Sequence, residues 1–280
     1  MGFIQTTRAA GAVLLLAATL QASAQAPAGE VKGQAARHTA ESAVGVVQQA
    51  RVVLPSVVTG GAVYTGLWKD APREAKARVP VVVFLHGSSG LGLPAIAEWQ
   101  AWLATRGIAS VAPDSFALPD RITYKSPVST AVYEQIHALR ASEIVLAAQA
   151  VKGAAWADPA RLVLAGTSEG ATAVARHGGA EFAGRMIFAW SCEPNYFVEK
   201  PGHVFPASQP VLNVISSTDP FFSPSNAWLG NPSARGHCGE ALKDHKRATI
   251  TLIPGAPHTL LNLPAARAAA AGFLDDVLRP

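Results

Sequence analysis

From about residue 51 onward the apolar residues of this chain fall into two alternating patterns. Short unbroken runs predict strands: Arg51-Val-Val-Leu54, Val79-Pro-Val-Val-Val-Phe-Leu85, Ile108-Ala-Ser-Val-Ala112, Arg161-Leu-Val-Leu-Ala165, Arg185-Met-Ile-Phe-Ala-Trp190, Pro210-Val-Leu-Asn-Val-Ile215 and Ala248-Thr-Ile-Thr-Leu-Ile253. Runs of this kind suit strands covered on both faces. Between them the spacing turns helical. Ala95 to Arg106 sets Trp99, Trp102 and Leu103 on one side, with Gly107 where a helix C-cap belongs. Thr130 to Val151 spaces Val132, Ile136, Leu139, Ile144 and Leu146 along one face, Glu169 to Arg176 is small and apolar, and Ala265 to Leu278 closes the chain. Val63 to Trp68 reads as an antiparallel partner of the first strand, followed by a polar turn from Asp70 to Lys76. Strands alternating with helices imply one α/β domain over residues 48–280, a doubly wound, mostly parallel sheet with its active site at the carboxyl ends of the strands.

The first 47 residues do not follow this pattern. Met1 to Ala24 holds one charge, Arg8, then the apolar stretch Ala12 to Leu20 and the small residues Ala22-Ser-Ala24. This is the pattern of a secretory signal peptide cleaved near Ala24, and its apolar core is far short of the ~20 residues that span a bilayer. A periplasmic or extracellular protein without a membrane span after processing is therefore expected. Residues 25–47 show no clear period and read as a poorly ordered leader.

Composition narrows the picture further. With 280 residues, 49% of them apolar, the chain has material for a sizeable core. Lys and Arg number 23 against 19 Asp and Glu, a net charge of +4 that becomes +3 once Arg8 leaves with the signal segment. The basic residues are scattered, which points to a solvated surface and not to a nucleic-acid track, while an anionic substrate or polymer stays open. The two cysteines, Cys192 and Cys238, are expected to form one disulfide in an oxidising compartment, two separate buried thiols being the alternative. No spacing resembles a zinc site, and no cofactor is expected.

The most informative motif is Gly166-Thr167-Ser168-Glu169-Gly170, a G-x-S-x-G sequence between a strand run and a helix. A strand turning sharply into a helix crowds its own backbone, so small residues must flank a serine held exposed there. A serine hydroxyl is a poor nucleophile at neutral pH and needs a base that is itself oriented by a carboxylate. Asp219, just past a late strand, is the candidate acid, with an Asp-Pro turn as its alternative role and Asp114 in reserve; His258, beyond the last strand, is the candidate base. The backbone N–H groups of Ser88 and Glu169 are the expected oxyanion donors, Ser88 lying in the turn His86-Gly87-Ser88-Ser89-Gly90. His86 is read as bonding backbone in that turn. Glu169 is unusual, since a carboxylate beside the nucleophile opposes an oxyanion unless it is paired, and Arg121, Lys125 and Arg140 are its candidate partners. Tyr196, Phe221, Phe222 and Trp228 either wall a pocket or fill the core.

Strand-His86-Gly87-Ser88-Ser89-Gly90, the elbow at Ser168, then Asp219 and His258 in that order resemble the α/β-hydrolase superfamily, most of all its dienelactone-hydrolase-like branch, from about Arg51 to the C-terminus. The resemblance implies a central sheet of about eight strands and a Ser-Asp-His order of triad residues. Dienelactone hydrolases proper carry cysteine at the elbow, so Ser168 sets that lactone substrate aside. The expected activity is that of an exported serine hydrolase cleaving a small or polymeric carboxylic ester through an acyl-enzyme. An exported amidase or depolymerase, and a non-catalytic binding protein on the same scaffold, are the other readings.

Overall fold

The computed structural model describes residues 1, 2 and 29–279; residues 3–24 of the expected signal segment and its cleavage point lie outside the described residues. In chain order the elements are β1 (Glu30–Lys32), α1 (Ala40–Gln48), β2 (Arg51–Leu54), α2 (Ser56–Thr59), β3 (Tyr64–Leu67), β4 (Val79–Leu85), α3 (Pro94–Thr105), β5 (Ala109–Ala112), β6 (Thr123–Lys125) and α4 (Thr130–Lys152). They continue with β7 (Ala157–Thr167), α5 (Glu169–Arg176), β8 (Gly184–Phe188), β9 (Val211–Ser216), β10 (Ala248–Ile253) and α6 (Pro264–Val277). Every strand and helix expected from the apolar pattern after residue 50 is present.

Eight strands form the central sheet, in the order β10-β9-β8-β7-β4-β5-β2-β3. β2 runs antiparallel to β3 and β5, and the other neighbours are parallel. Because successive side chains of a strand point to opposite faces, the unbroken apolar runs feed two cores at once. Val81, Val83 and Leu85 of β4 join Leu162 and Leu164 of β7 on the face covered by α4 and α5. Val82 and Phe84 join Val163 and Ala165 on the other face, where α3 and α6 supply Trp99, Leu103, Ala270 and Leu274. Trp99 and Leu103 are fully buried, as the helical spacing of α3 requires.

Strand order reverses between β4 and β7. From β4 the chain moves outward to β5, returns to β7 on β4's other side, and then continues outward through β8, β9 and β10. The crevice at the carboxyl ends of β4 and β7 is the topological switch point, where open α/β sheets place their ligands. The turn at Gly87 and the elbow at Ser168 both open there.

The leader expected over residues 25–47 needs correction in its described part. β1 pairs antiparallel with β6 in a separate two-stranded ribbon, Val31 opposite Tyr124. Gly29 N–H donates to Pro127 O at 2.8 Å, and Ile122 N–H donates to Ala35 O at 2.9 Å. α1 starts at a capping box formed by Thr39 and Ser42 and buries Val46. Order in this segment comes from backbone bonds to residues some ninety positions later, and no local period announces such bonds.

Candidate active site

β7 ends at Thr167 and α5 begins at Glu169, so Ser168 alone makes the turn, with φ 54° and ψ −120°. A serine with positive φ is strained by roughly 1–3 kcal/mol and persists only where the surroundings enforce it. Two glycines show how they do so. A Cβ on Gly166 would come within 2.7 Å of the Gly170 backbone, and one on Gly170 within 2.3 Å of Leu85 O. Only glycine lets the first turn of α5 cross its own strand and press on the end of β4. A Cβ on Gly87 would lie 3.3 Å from that of Ser168, which measures how close the Gly87 turn comes to the serine.

The candidate acid and base meet. His258 Nδ1 lies 2.7 Å from Asp219 Oδ2. Asp219 is fully buried, and its Oδ1 also accepts the N–H groups of Phe221 at 2.9 Å and Phe222 at 3.0 Å. Those bonds give a buried carboxylate the partners it requires. With Nδ1 committed to Asp219, Nε2 is the ring nitrogen without that bond, and Ser168 lines the same cleft as His258. No hydrogen bond joins Ser168 to His258 among the described residues. Asp114, the reserve acid, is elsewhere: it caps the turn Ser115–Ala117 by accepting from Phe116 N–H. His203 and His245 pair with each other at 3.1 Å, outside the cleft lining.

The expected oxyanion donors flank the serine. Ser88 lines the cleft from the turn after β4, and Glu169 opens α5, where the first N–H groups of a helix have no partner within it. His86 is fully buried and makes the backbone bond expected of it, Nδ1 to Gly87 O at 2.7 Å. Its Nε2 accepts Ser115 N–H at 3.1 Å. Burial, and next the charge of Arg140, hold the His86 ring well below the ordinary histidine range, so it is neutral.

Glu169 is fully buried beneath this turn and paired. Arg121 Nη2 donates to its Oε1 at 2.6 Å, and Arg140 Nε lies 3.5 Å from the same oxygen. Lys125, the third candidate, instead pairs with Glu30 at 3.3 Å, because β6 directs it to solvent. Behind Arg140 stands Glu143 at 2.7 Å, and behind Glu143 stands His38 at 3.4 Å. The cluster balances two arginines against two glutamates, which is how ionised groups survive in an interior.

The cleft has a volume of about 120 Å³. Ser88, Ser89 and Ser126 supply hydroxyls, and Tyr196, Phe197, Phe221 and Phe222 form an aromatic wall. Among the described residues its lining holds no Asp, Glu, Lys or Arg. Of the two roles open to Trp228, lining the cleft is not the one it takes: it packs on Tyr196 at 4.4 Å between ring centres. Tyr124, Ser126 and Phe197 went unforeseen. Tyr124 reaches the cleft from the β1–β6 ribbon; burial, then the Glu169 carboxylate, push its phenol well above the ordinary tyrosine range. Phe197 adjoins Tyr196 in sequence and could have been read with it.

Cys192 and Cys238 form a disulfide with 4.8 Å between Cα atoms. It joins the segment after β8, which carries Tyr196 and Phe197, to the loop before β10. Asn213 of β9 lies underneath, accepting Cys238 N–H at 3.0 Å and donating to Trp190 O at 2.9 Å. Among the described residues no group of three or more His, Cys, Asp or Glu could hold a metal ion, and no helix is long and apolar enough to cross a membrane.

No family model and no curated protein matches the chain. Solved structures do. A protein described as a dienelactone hydrolase from Klebsiella pneumoniae superposes with a TM-score of 0.53 at 15% identity, over 82% of this chain and 99% of its own. A cold-adapted esterase from an Arctic intertidal metagenomic library gives 0.52 at 15% identity, over 82% and 95%. An esterase from Thermogutta terrifontis gives 0.50 at 16% identity, over 82% and 90%. Sheet order and these likenesses agree that the fold is that of the α/β-hydrolases.

Proposed function

We propose that this protein is an exported serine hydrolase that cleaves neutral carboxylic esters through an acyl-enzyme on Ser168. The observation that carries the reading is the pairing of His258 Nδ1 with buried Asp219 at 2.7 Å beside a serine at a strained elbow, both His258 and Ser168 opening on one cleft. Ser168 Oγ attacks the ester carbonyl while His258 Nε2 takes its proton. Asp219 holds the ring in the tautomer that leaves Nε2 able to accept, and it stabilises the imidazolium that forms. The alkoxide settles between the N–H groups of Ser88 and Glu169, and His258 returns the proton to the leaving alcohol. Water, deprotonated by His258, then releases the acid and restores the serine.

The lining supports the substrate class. A small cleft with hydroxyl and aromatic walls and, among the described residues, no Asp, Glu, Lys or Arg fits a short, uncharged acyl group. The net charge had kept an anionic substrate open; among the described residues no Lys or Arg lines the cleft to receive one. The disulfide and the signal-like first residues support export. A fluorophosphonate probe should label the wild type at Ser168, and Ser168→Ala should lose both labelling and turnover of short acyl esters. Labelling that persists in Ser168→Ala, or faster cleavage of matched amides than esters, overturns the reading.

A further inference from the structure

Arg140 touches both loops that the proposed chemistry needs. It lies on α4, fully buried, and Glu143 at 2.7 Å would alone satisfy its charge. Yet Nη2 donates to His86 O at 2.8 Å, Nη1 lies 3.3 Å from His86 Nε2, and Nε lies 3.5 Å from Glu169 Oε1. One guanidinium therefore hydrogen-bonds the turn after β4 and, through a 3.5 Å ion pair without a hydrogen bond, reaches the first residue of α5.

The His86 contacts fix a proton. Nε2 faces two donors, Ser115 N–H and Arg140 Nη1, so it must be the bare nitrogen of a neutral ring. The ring proton then sits on Nδ1 and is donated to Gly87 O at 2.7 Å. Gly87 C=O and Ser88 N–H belong to one planar trans peptide and point in opposite directions. Holding that carbonyl aims the Ser88 N–H away from it, and a hydrogen bond on the carbonyl polarises the N–H as well. On the other side, Glu169 is anchored through its carboxylate while its N–H is the second donor.

We propose that Arg140 is a positioning residue for the oxyanion hole: through His86 it orients the Ser88 N–H, and through Glu169 it holds the start of α5, setting the separation of the two donors. The proposal rests on the reading of Ser168 as nucleophile. Donor placement acts on the transition state and hardly on substrate binding, so the loss should fall on kcat.

Two variants test it, with active sites titrated by fluorophosphonate so that only folded enzyme counts. Arg140→Lys keeps a charge that can reach one loop but not both, and Arg140→Gln with Glu143→Gln keeps the buried charge balanced. Both should lower kcat per titrated site 10- to 100-fold with KM within threefold. Affinity for a trifluoromethyl ketone, which mimics the tetrahedral intermediate, should fall by the same factor. A lower melting temperature with kcat per site and ketone affinity within twofold of wild type marks Arg140 as structural and overturns the proposal. Ser168→Ala in the same assay separates the two ideas: if it still turns over ester, the nucleophile reading fails first; if it is inactive while the Arg140 variants are normal, only the positioning role fails. The wild type provides a test free of folding defects. Ring 15N shifts should show His86 neutral and protonated at Nδ1 between pH 6 and 8, and an Nε2-protonated ring overturns the argument.

Discussion

Glu169 accepts a 2.6 Å hydrogen bond from Arg121 directly beneath the candidate nucleophile, both side chains excluded from water. That pairing accounts for an acidic residue next to the serine, since the carboxylate is buried, ion-paired and not part of the cleft lining. Removing one partner of a buried pair leaves the other uncompensated, at a cost of roughly 3–5 kcal/mol. Glu169→Gln should therefore lower the free energy of unfolding by about 3 kcal/mol in urea titrations, with Arg121 left holding a neutral amide. An unchanged unfolding midpoint would show that the pair adds nothing to stability.

The histidines set an acid limit. His86, His137 and His245 all have ring pKa values lowered by burial. Above the unfolded value of about 6.5 both states are neutral and the groups have no effect. Below it the unfolded chain binds protons that the folded chain refuses, so stability falls as pH drops through 6.5. The slope is steepest for His86, whose ring is held furthest below the ordinary range, and approaches about 1.4 kcal/mol per pH unit for that group. Urea midpoints should decline between pH 7 and pH 5.5, and His137→Gln should flatten that decline.

The disulfide closes a loop with a sequence separation of 46. Loop-entropy arguments assign such a closure about 4 kcal/mol. Replacing Cys192 and Cys238 together by serine should lower stability by about 2–4 kcal/mol and raise KM more than it lowers kcat, because the bridge anchors the segment that carries Tyr196 and Phe197. Melting curves with and without reductant, alongside steady-state kinetics, check both parts.

Substrate charge offers a direct test of the cleft. Butyryl and hemisuccinyl esters of the same alcohol differ chiefly in a terminal carboxylate. The uncharged lining predicts kcat/KM at least about tenfold lower for the hemisuccinate, as expected for desolvating a charge without a partner. Equal rates would place a cation within reach of the acyl group.

What could be read in the sequence depended on where each element gets its stability. β4 and β7 are covered on both faces, so their unbroken apolar runs announce them, and the elbow and the turn at Gly87 follow as the ends of those strands. Asp219 and His258 are candidates from their order after the serine and their place past late strands, while their meeting is seen only in three dimensions. The β1–β6 ribbon was not legible, because its strands are three residues each and exist through pairing with each other. Tyr124 was missed for the same reason. The role of Trp228 stays open in the sequence because an aromatic residue in a loop near the cleft looks the same whether it faces substrate or backs another ring. Arg121 and Arg140 could be named as partners of Glu169 from charge alone, but the link from Arg140 to the His86 carbonyl is a matter of three-dimensional packing.

The ribbon also imposes an order of events on synthesis. Val31 leaves the ribosome early, but its partner Tyr124 comes more than ninety residues later, and the cleft that Tyr124 lines is not complete until His258 has followed. The strand at residues 30–32 can pair only once β6 is available, near the middle of the chain. Anything fused just ahead of Gly29 would ride on the wall of the cleft, so a tag or reporter belongs at the carboxyl end, beyond α6.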